Sequence, residues 1–218
     1  MNTQNILTVD AVLLTIFNKD LHVALHKREN IPFQGHWALP GGYIRSDVDD
    51  SAKAAVARVL SEKLNVQSPY LEEFGTFSGP VRDPRGWSLT VVYYALVPTL
   101  TVSPKVKLFP VLELPNLPFD HLHIVNSVVG RVRSKASYSS LPVHLCPAEF
   151  TIPELHAAYE TVLGEKLNIA NFRRKLEDLD VLEVIDGAVR TAGRSRPSQL
   201  YRVVKRFANT LSTRDRGL

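Results

Sequence analysis

The apolar residues of the first third of the chain follow two different periods. Residues 7–17 and 21–27 are almost continuously apolar, and the polar Asn18-Lys19-Asp20 separates them, which predicts a hairpin of two strands. In residues 51–64, alanine, valine and leucine recur at helical spacing. Asp49, Asp50 and Ser51 suit the start of a helix, so we predict that a helix begins there.

Further strands and one more helix are expected before the middle of the chain. Residues 119–133 carry an apolar stripe at helical spacing, formed by Leu122, Val125, Val129 and Val132. The additional strands are predicted at 74–77, 89–98 and 105–112. These elements predict an α/β (α+β) fold, in which helices flank a mixed sheet, for a domain of residues 1–136.

The pattern changes after residue 136. The small and polar stretch that ends at Pro142 predicts a linker over 137–148, followed by a second domain of residues 149–218. Thr151 and the glutamate three residues later predict a helix start, and Gly164 predicts its end. Asn168 is expected to cap a second helix, Ile169 to Leu179, with three apolar residues inward: Phe172, Leu176 and Leu179.

A basic hairpin is expected after the two helices. Strands are predicted at 181–185 and 199–204, with a turn at Asp186-Gly187. Helix, short turn, helix and hairpin, in this order, are typical of a C-terminal winged helix-turn-helix domain. The basic residues between 187 and 206, where no acidic residue occurs, are Arg190, Arg194, Arg196, Arg202, Lys205 and Arg206.

These basic residues favour binding to double-stranded DNA. A helix with two arginines, taken alone, is more often a solvated surface, and a basic loop is also unremarkable. In a winged helix, however, the second helix enters the major groove, and arginine and asparagine suit base edges. The candidate DNA-binding residues are Asn171, Arg173, Arg174 and Lys175 on the second helix, and Arg194 and Arg196 in the wing. The wing arginines are expected on phosphate or in a narrow minor groove.

Composition excludes some classes of protein. The 218 residues, with 44% hydrophobic and 22% charged residues and a net charge of +4, are typical of one large or two small globular domains. Cys146 is the only cysteine, so an internal disulfide is excluded. No apolar run is long enough to cross a bilayer, and no signal peptide is apparent at the start. We therefore expect a cytoplasmic protein without a membrane partner.

A second motif leads into the helix of residues 51–64. Residues 37–42, Trp-Ala-Leu-Pro-Gly-Gly, precede it, and the two glycines permit a backbone path that other residues resist. Residues 41–66 thus resemble a Nudix box, the motif of enzymes that cleave nucleoside diphosphate derivatives with divalent metal held by glutamates. The matching positions are Arg58, Leu60, Glu62 and, counted back from Arg58, Asp50.

This chain differs from the motif at two positions where the family has carboxylates. Val59 and Lys63 stand where the family has glutamates, and Asn65 replaces a glycine. Mg²⁺ requires oxygen ligands, and helix positions i, i+3 and i+4 converge, so the family helix presents three carboxylates where this chain has valine, glutamate and lysine. The histidines show no metal-ligand spacing. The sequence predicts a pocket that binds a nucleoside diphosphate without cleaving it, with no metal and no catalytic residue.

The combination of motifs resembles the Nudix-related transcriptional regulators of NAD metabolism (NrtR). The resemblance covers nearly the whole chain, including Asn-Phe-Arg-Arg-Lys-Leu in the second helix of the winged domain and Gly-Arg-Ser-Arg-Pro in the wing. It implies a dimeric bacterial repressor of genes for NAD synthesis or salvage, which ADP-ribose releases from its operator. No cofactor is implied beyond this effector.

The resemblance also implies where the effector binds. Cationic forks suit a pyrophosphate, and Arg28, Arg45, Arg82 and Arg85 lie in loops or strand ends near the family's pocket. Phe33, Trp37 and Trp87 could stack on adenine, or could equally pack in the core. A second functional class stays open, that of a Nudix hydrolase with an appended interaction domain. The residues at 59 and 63 and the basic block at 187–206 discriminate between the two.

Overall fold

The computed structural model describes residues 5–67, 70–191, 197–208 and 210–213, apart from the side chain of Lys175. The chain divides into two compact units. The first comprises the residues up to Thr15, His22–Leu96 and Leu100–Val129, and the second comprises Ile16–Leu21, Val97–Thr99 and the residues from Gly130 onwards. In the described part of the chain, no helix is long and apolar enough to cross a membrane.

A mixed sheet, one helix and the first part of a second helix build the first unit, which confirms the predicted fold class. The order across the sheet is β3-β2-β1-β6-β5, with β4 paired to β1 and β7 paired to β2. The elements are β1 Ile6–Phe17, β2 Asp20–Lys27, β3 Trp37–Ala38, β4 Gly41–Tyr43, α1 Ala52–Leu64, β5 Tyr70–Gly79, β6 Ser88–Leu96, β7 Val106–Pro110 and α2 His121–Ala136.

The central strands are the apolar runs of the sequence. β1 runs parallel to β6, and Val9 and residues 11–14 of β1 are fully buried, as expected for a strand covered on both faces. The predicted turn joins β1 to β2 through Asn18 and Lys19, which both have positive φ, 49° and 69°. Two successive positive φ values match the right-handed twist of the flanking strands. The pattern therefore predicted the hairpin correctly.

The helices begin and end on the expected signals, with one error in the buried face. Ser51 Oγ accepts a hydrogen bond from Ala54 N at 3.1 Å at the start of α1, and Asn65 ends it in the left-handed conformation. In α2, Leu122 is 47% exposed, so its predicted place in the apolar stripe is wrong. Val125, Val129 and Val132 are buried as predicted, and Ile124 and Val128 extend the buried face.

The second unit is a winged helix. Its elements are a 3-10 helix Leu141–Leu145, β8 Phe150–Thr151, α3 Ile152–Leu163, α4 Ile169–Leu179, β9 Leu182–Arg190, β10 Ser198–Val203 and a 3-10 helix Lys205–Phe207. The three strands form a sheet in the order β8-β10-β9. Phe172, Leu176 and Leu179 of α4 are buried, as predicted, in one apolar cluster with residues of α3 such as Leu155 and Tyr159.

Local side-chain bonds fix the turn between α3 and α4. Thr151 and Glu154 form a capping box at the start of α3, Gly164 ends this helix with a φ of 76°, and Asn168 caps α4. Glu160 Oε1 accepts a hydrogen bond from Leu167 N at 2.9 Å, which ties the turn to the helix before it. The two caps and Gly164 act on residues close to them in the chain, which is why the sequence could predict the ends of these helices.

The stretch 137–148, predicted to be a linker, contains a buried segment. All five residues of the 3-10 helix Leu141–Leu145 are buried, and Val143 and Cys146 belong to the apolar cluster of the winged helix. Residues 141–146 are therefore packed within the second unit, although the small and polar residues before Pro142 gave no sign of this burial. The domain limits of 136 and 149 stay a prediction.

The strand after α4 is longer than predicted, and it has no turn that ends it at Asp186-Gly187. β9 continues to Arg190, and its pairing with β10 is shifted at Leu200, between Gln199 and Tyr201. Gly187 takes a φ of 70° there, and Gln199 Nε2 donates to the carbonyls of Ile185 and Ala188 at 2.7 and 3.0 Å. The glycine signal thus marks a β-bulge within the strand.

Candidate functional site

The two glycines before α1 are required by close packing in the first unit. β4 pairs with β1 so that Gly41 lies opposite Asp10. A Cβ atom on Gly41 would lie 1.9 Å from Asp10 Oδ1 and 2.9 Å from Val9 O, and one on Gly42 would lie 3.1 Å from Val59 Cγ2. The backbone of β4 can approach the sheet and α1 only without these side chains.

Asp10 belongs to a buried polar network beneath β4. Its Oδ2 accepts a hydrogen bond from Thr90 Oγ1 at 2.8 Å. His121 Nδ1 accepts from Leu39 N at 3.1 Å, so Nε2, 3.8 Å from Asp10 Oδ1, carries the proton. Burial lowers the pKa of His121 and outweighs the carboxylate of Asp10, which acts in the opposite direction. We therefore assign a neutral imidazole whose N–H faces Asp10.

Arg82 forms a bidentate ion pair with Asp120. Its Nε and Nη2 donate to the two oxygens of Asp120, both at 2.9 Å, and Nη1 donates to Ser88 Oγ at 3.2 Å. Nη2 also lies 3.9 Å from Asp10 Oδ2. The guanidinium is thus fixed between two carboxylates in a nearly buried position.

Arg85 is fixed by Asp83 and Tyr43. Its Nε and Nη2 donate to the Asp83 carboxylate at 3.0 and 2.6 Å, and Nη1 donates to Tyr43 Oη at 2.6 Å. The hydrogen bond to Asp83 raises the pKa of Arg85. The guanidinium carbon lies 5.6 Å from the centroid of the Tyr43 ring, so the aromatic ring is set beside a fixed positive charge.

Arg28 is stabilised by backbone carbonyls and an aromatic ring. Its Nε donates to Pro32 O at 3.0 Å, and its guanidinium carbon lies 4.8 Å from the centroid of the Phe119 ring. Burial and, after it, repulsion by Arg85 lower the pKa of Arg28. Arginine nevertheless keeps its charge in proteins. Two cations that repel each other across a pocket create a strong preference for an anion.

These side chains line a pocket of about 160 Å³. Three of the seven candidate effector residues, Arg28, Arg82 and Arg85, lie in its wall. The wall also contains Lys63, whose ammonium stands where the family has a metal-binding glutamate, and residues without a predicted role in binding the ligand, among them Asp10, Tyr43, Phe119 and His121. Tyr43, next to Gly42, could have been suspected from its position after the glycine pair. Asp10 and Phe119 carried no signal, because they reach the pocket only through the tertiary fold, Asp10 from β1 and Phe119 from the turn before α2.

The other four candidate effector residues lie outside this wall. Arg45 pairs with Glu62 at 3.4 Å, and the ring centroid of Trp37 lies 5.6 Å from that of Phe109. Phe33 packs edge-on against Phe119, with centroids 4.9 Å apart. Trp87 is 44% exposed. Phe33 thus contacts a residue of the wall, Phe119. The assignment of Arg45, Phe33, Trp37 and Trp87 to the effector stays a prediction.

On α1, Arg58 is paired with Asp49 rather than with Asp50. Its Nε donates to Asp49 Oδ1 at 2.8 Å and its Nη2 donates to Asp49 Oδ2 at 2.7 Å, whereas Asp50 is exposed. The hydrogen bond from Arg58 lowers the pKa of Asp49 to about 2. Counting back from Arg58 gave Asp50 the place of the first glutamate, and that correspondence stays a prediction. The carboxylate that Arg58 holds is the one directly before it, Asp49.

The side chains on α1 do not fit the divalent metal of a Nudix enzyme. Val59 is buried in the core. Lys63 Nζ donates to Gly41 O, and Glu62 accepts hydrogen bonds from Arg45 at 3.4 Å and Arg58 at 3.3 Å. Across the described residues there is no group of three or more histidine, cysteine, aspartate or glutamate side chains suited to a metal ion. A hard cation needs several oxygen ligands, and this helix presents one carboxylate that two arginines already hold.

The second unit presents polar residues of α4 to solvent. Asn171, Arg173 and Arg174 are exposed, and Arg174 Nη2 donates to Asn171 Oδ1 at 2.8 Å. Helix α4 therefore has the buried and polar faces expected of a recognition helix. The side chain of Lys175 and the residues Arg194 and Arg196 lie outside the described part of the chain.

Half of the predicted basic block is paired with acidic residues. Arg190 Nη1 lies 2.9 Å from Glu154 Oε1, Arg202 pairs with Glu183, and Arg206 pairs with Asp180. The block has no acidic residue of its own, but its charge is reduced by carboxylates that precede it in the chain. Its net positive charge is smaller than the sequence alone indicates.

The fold and the pocket define a Nudix domain joined to a winged helix. A family model described as NUDIX domain matches residues 7–125, and one described as NrtR DNA-binding winged helix domain matches residues 142–203. The chain is 36% identical to the "ADPR responsive transcriptional repressor NtrR" of Acinetobacter baylyi over 90% of this chain and 81% of that protein. The chain therefore belongs to the NrtR family of transcriptional regulators.

Solved structures agree with this family. The crystal structure of Shewanella oneidensis NrtR complexed with a 27mer DNA has a TM-score of 0.88 and 40% identity, and the match covers 97% of this chain and 99% of that one. The NUDIX domain of the same protein complexed with ADP ribose has a TM-score of 0.54 and 42% identity, covering 59% of this chain and 88% of that one.

Proposed function

We propose that the chain is an ADP-ribose-responsive transcriptional repressor of NAD metabolism genes. The observation that carries this proposal is the coexistence of two sites in one chain. The first unit has an arginine-lined pocket next to a Nudix helix with a single carboxylate, and the second unit is a winged helix with an exposed polar face on α4. A hydrolase would need the first site to be catalytic and would not need the second.

The chemistry of ADP-ribose suits the pocket. Its pyrophosphate is an anion that arginine forks bind through paired hydrogen bonds, and Arg28 and Arg85 carry such forks. Its adenine is a flat aromatic ring, and Tyr43 and Phe119 present aromatic rings beside these cations. The relatives named for ADP-ribose and for DNA support the same ligands.

We propose that the Nudix domain binds ADP-ribose without hydrolysing it. Val59 and Lys63 replace two carboxylates, and the remaining Glu62 is bound by two arginines. The helix thus lacks two of the oxygen ligands that would hold the metal in a Nudix enzyme. Incubation of ADP-ribose with Mg²⁺ or Mn²⁺ should give no AMP, and turnover on the order of 1 per second or more would contradict this.

We also propose that the protein binds a roughly palindromic operator as a homodimer. One winged helix reads only a few base pairs, and a two-fold protein matches a two-fold site. Asn171 and Arg173 are proposed to read bases from α4, and Arg194 and Arg196 to hold phosphate or a narrow minor groove. As a regulator of bacterial genes it would act in the cytoplasm. Sedimentation of the protein with operator DNA tests the stoichiometry.

A gel-shift titration tests the function as a whole. The full-length chain is bound to DNA from upstream of its own gene, and ADP-ribose is then added. We expect a discrete complex that ADP-ribose dissociates. AMP and ribose 5-phosphate, which each correspond to one half of ADP-ribose, should dissociate it less. Operator affinity that is unchanged at saturating ADP-ribose would refute the effector half of the proposal. Absence of any sequence-specific complex would refute the repressor half.

A further inference from the structure

Lys63 lies where two pockets of the first unit meet. The pocket of about 160 Å³ adjoins a second one of about 330 Å³, which is lined by His26, Arg28, Glu29, Asn30, Glu62, Lys63 and Lys105. Three residues belong to both walls: Arg28, Asn30 and Lys63. A ligand that extends through both pockets must pass the cations of Arg28 and Lys63.

The Lys63 side chain is held in this position. It comes from the last turn of α1, and its ammonium donates to Gly41 O, the carbonyl that the close packing on Asp10 keeps in place. An ammonium has three N–H donors, so donors remain for a ligand. Burial lowers the pKa of Lys63, and the nearby Asp10 acts in the opposite direction. A bound phosphate would favour the charged form still more.

The surroundings of Lys63 exclude the cation that a Nudix fold would otherwise use. Val59, one turn before it, packs in the core, and Glu62 is turned to Arg45 and Arg58. The Gly41 carbonyl, an oxygen that could ligate a metal, accepts the ammonium instead. A positive charge is thus still present at this position, but the Lys63 side chain supplies it instead of a metal ion.

We infer that Lys63 is a built-in substitute for the divalent metal, and that with Arg28 it binds the pyrophosphate of the effector at the junction of the two pockets. The inference rests on the proposed function, because it assumes that ADP-ribose is the ligand. Two consequences follow. Binding is independent of divalent metal, and the two halves of the ligand lie in different pockets. The aromatic residues of the smaller pocket suit the adenine, and the polar residues of the larger one suit the terminal ribose.

Calorimetry of the full-length protein with ADP-ribose tests the inference. Titrations are run in EDTA and in millimolar Mg²⁺ with the wild type and with Lys63→Met, Lys63→Arg and Lys53→Met. Lys53→Met removes an exposed lysine from the same helix and is the matched control. We expect equal wild-type affinity in both buffers, a loss of roughly 10-fold or more for Lys63→Met, and partial recovery in Lys63→Arg. Lys53→Met should bind like the wild type.

A charge-reversal variant separates an electrostatic role from a structural one. In Val59→Glu/Lys63→Glu, the ammonium is replaced and the helix carboxylates are restored, so ADP-ribose binding should be weak in EDTA and should recover in Mg²⁺. Urea denaturation checks that the first unit of each variant is folded. Wild-type affinity that rises 10-fold in Mg²⁺, or Lys63→Met that binds like the wild type, would overturn the inference while leaving the proposed function intact. A wild type that binds no ADP-ribose in either buffer would overturn both.

Discussion

Arginine is used differently in the pocket of the first unit and on helix α4 of the second. Arg82 and Arg85 each donate at least two hydrogen bonds to an aspartate, and both are largely covered. Arg173 and Arg174 are exposed, and the bond of Arg174 to Asn171 is a contact between neighbours on one helix. The same residue type thus serves a fixed site in one region and an adaptable surface in the other.

This difference between fixed and exposed arginines follows from the ligand that each region is proposed to bind. A small anion is bound well only when the cations are already in place, since ordering long side chains on binding costs conformational entropy. DNA presents regularly spaced phosphates, and exposed arginines can adjust to them with modest loss. Fixed charges in the pocket should therefore affect the stability of the fold, whereas exposed charges on α4 should affect binding alone.

Arg82 provides the strongest test of this contrast. Arg82→Ala leaves Asp120 and the buried Asp10 without their cation, and breaking a buried pair costs about 3–5 kcal/mol. We expect a loss of about 3 kcal/mol in the free energy of unfolding, measured by urea denaturation. Arg45→Ala removes an exposed partner of Glu62 and should cost less than about 1 kcal/mol. Equal losses in the two variants would show that the pocket charges are not structural.

Local signals explain which parts of this molecule the sequence could predict. The caps at Ser51, Thr151 and Asn168 depend on bonds to residues two or three positions away, and they occur as expected. The fold class followed from apolar periods together with the Nudix resemblance. The burial of Leu141–Leu145 depends on packing against distant residues, so it was missed.

The candidate sites were predictable to different degrees for the same reason. The exposed face of α4 follows from helical period alone, once Phe172, Leu176 and Leu179 are assigned to the core. The pocket depends on contacts across the sheet, such as Arg85 with Tyr43, which are 42 residues apart. Arg190 was counted as part of a basic block because Glu154, its partner, lies 36 residues earlier. The family resemblance indicated Arg28, Arg82 and Arg85, the departure from the Nudix box indicated Lys63, and only the structure showed Tyr43 and Phe119 in the pocket wall.

Arg85 separates ligand binding from DNA binding. Arg85→Ala removes a guanidinium that Asp83 and Tyr43 hold at the pocket wall. A charged hydrogen bond contributes about 1.5–3 kcal/mol, so ADP-ribose affinity should fall roughly 10- to 100-fold in calorimetry. Operator affinity without ligand should change little, because α4 lies in the other unit. A parallel loss of both affinities would mean that Arg85 supports the fold and not the ligand.

Arg173 tests the adaptable surface. If it reads a base from α4, Arg173→Ala should cost about 1–3 kcal/mol of operator binding and should relax the preference at one base pair. Replacement of Arg194 or Arg196, if these contact phosphate, should weaken all sequences alike and reduce the salt dependence. Gel shifts on a set of single-base operator variants at several salt concentrations distinguish the two effects. Urea denaturation of Arg173→Ala should match the wild type, in contrast to Arg82→Ala.

Asp49 gives the smallest and most specific effect, because its ion pair with Arg58 is fixed like those of the pocket but neither residue lies in the pocket wall. Hydrogen bonding by Arg58 lowers the pKa of Asp49 from 3.8 to about 2. A carboxyl group with a lowered pKa in the folded state stabilises the protein above its ordinary pKa, and this stabilisation is lost as the pH falls towards 2. The stability of the wild type should therefore decline between about pH 4 and pH 2, and the stability of Asp49→Asn should decline less steeply there.

Asp50→Asn is the matched control. It removes the neighbouring exposed carboxyl group and should keep the pH profile of the wild type. Thermal melts across this pH range measure the stability of both variants. A flatter pH profile in Asp50→Asn than in Asp49→Asn would show that Asp50, and not Asp49, carries the pH dependence.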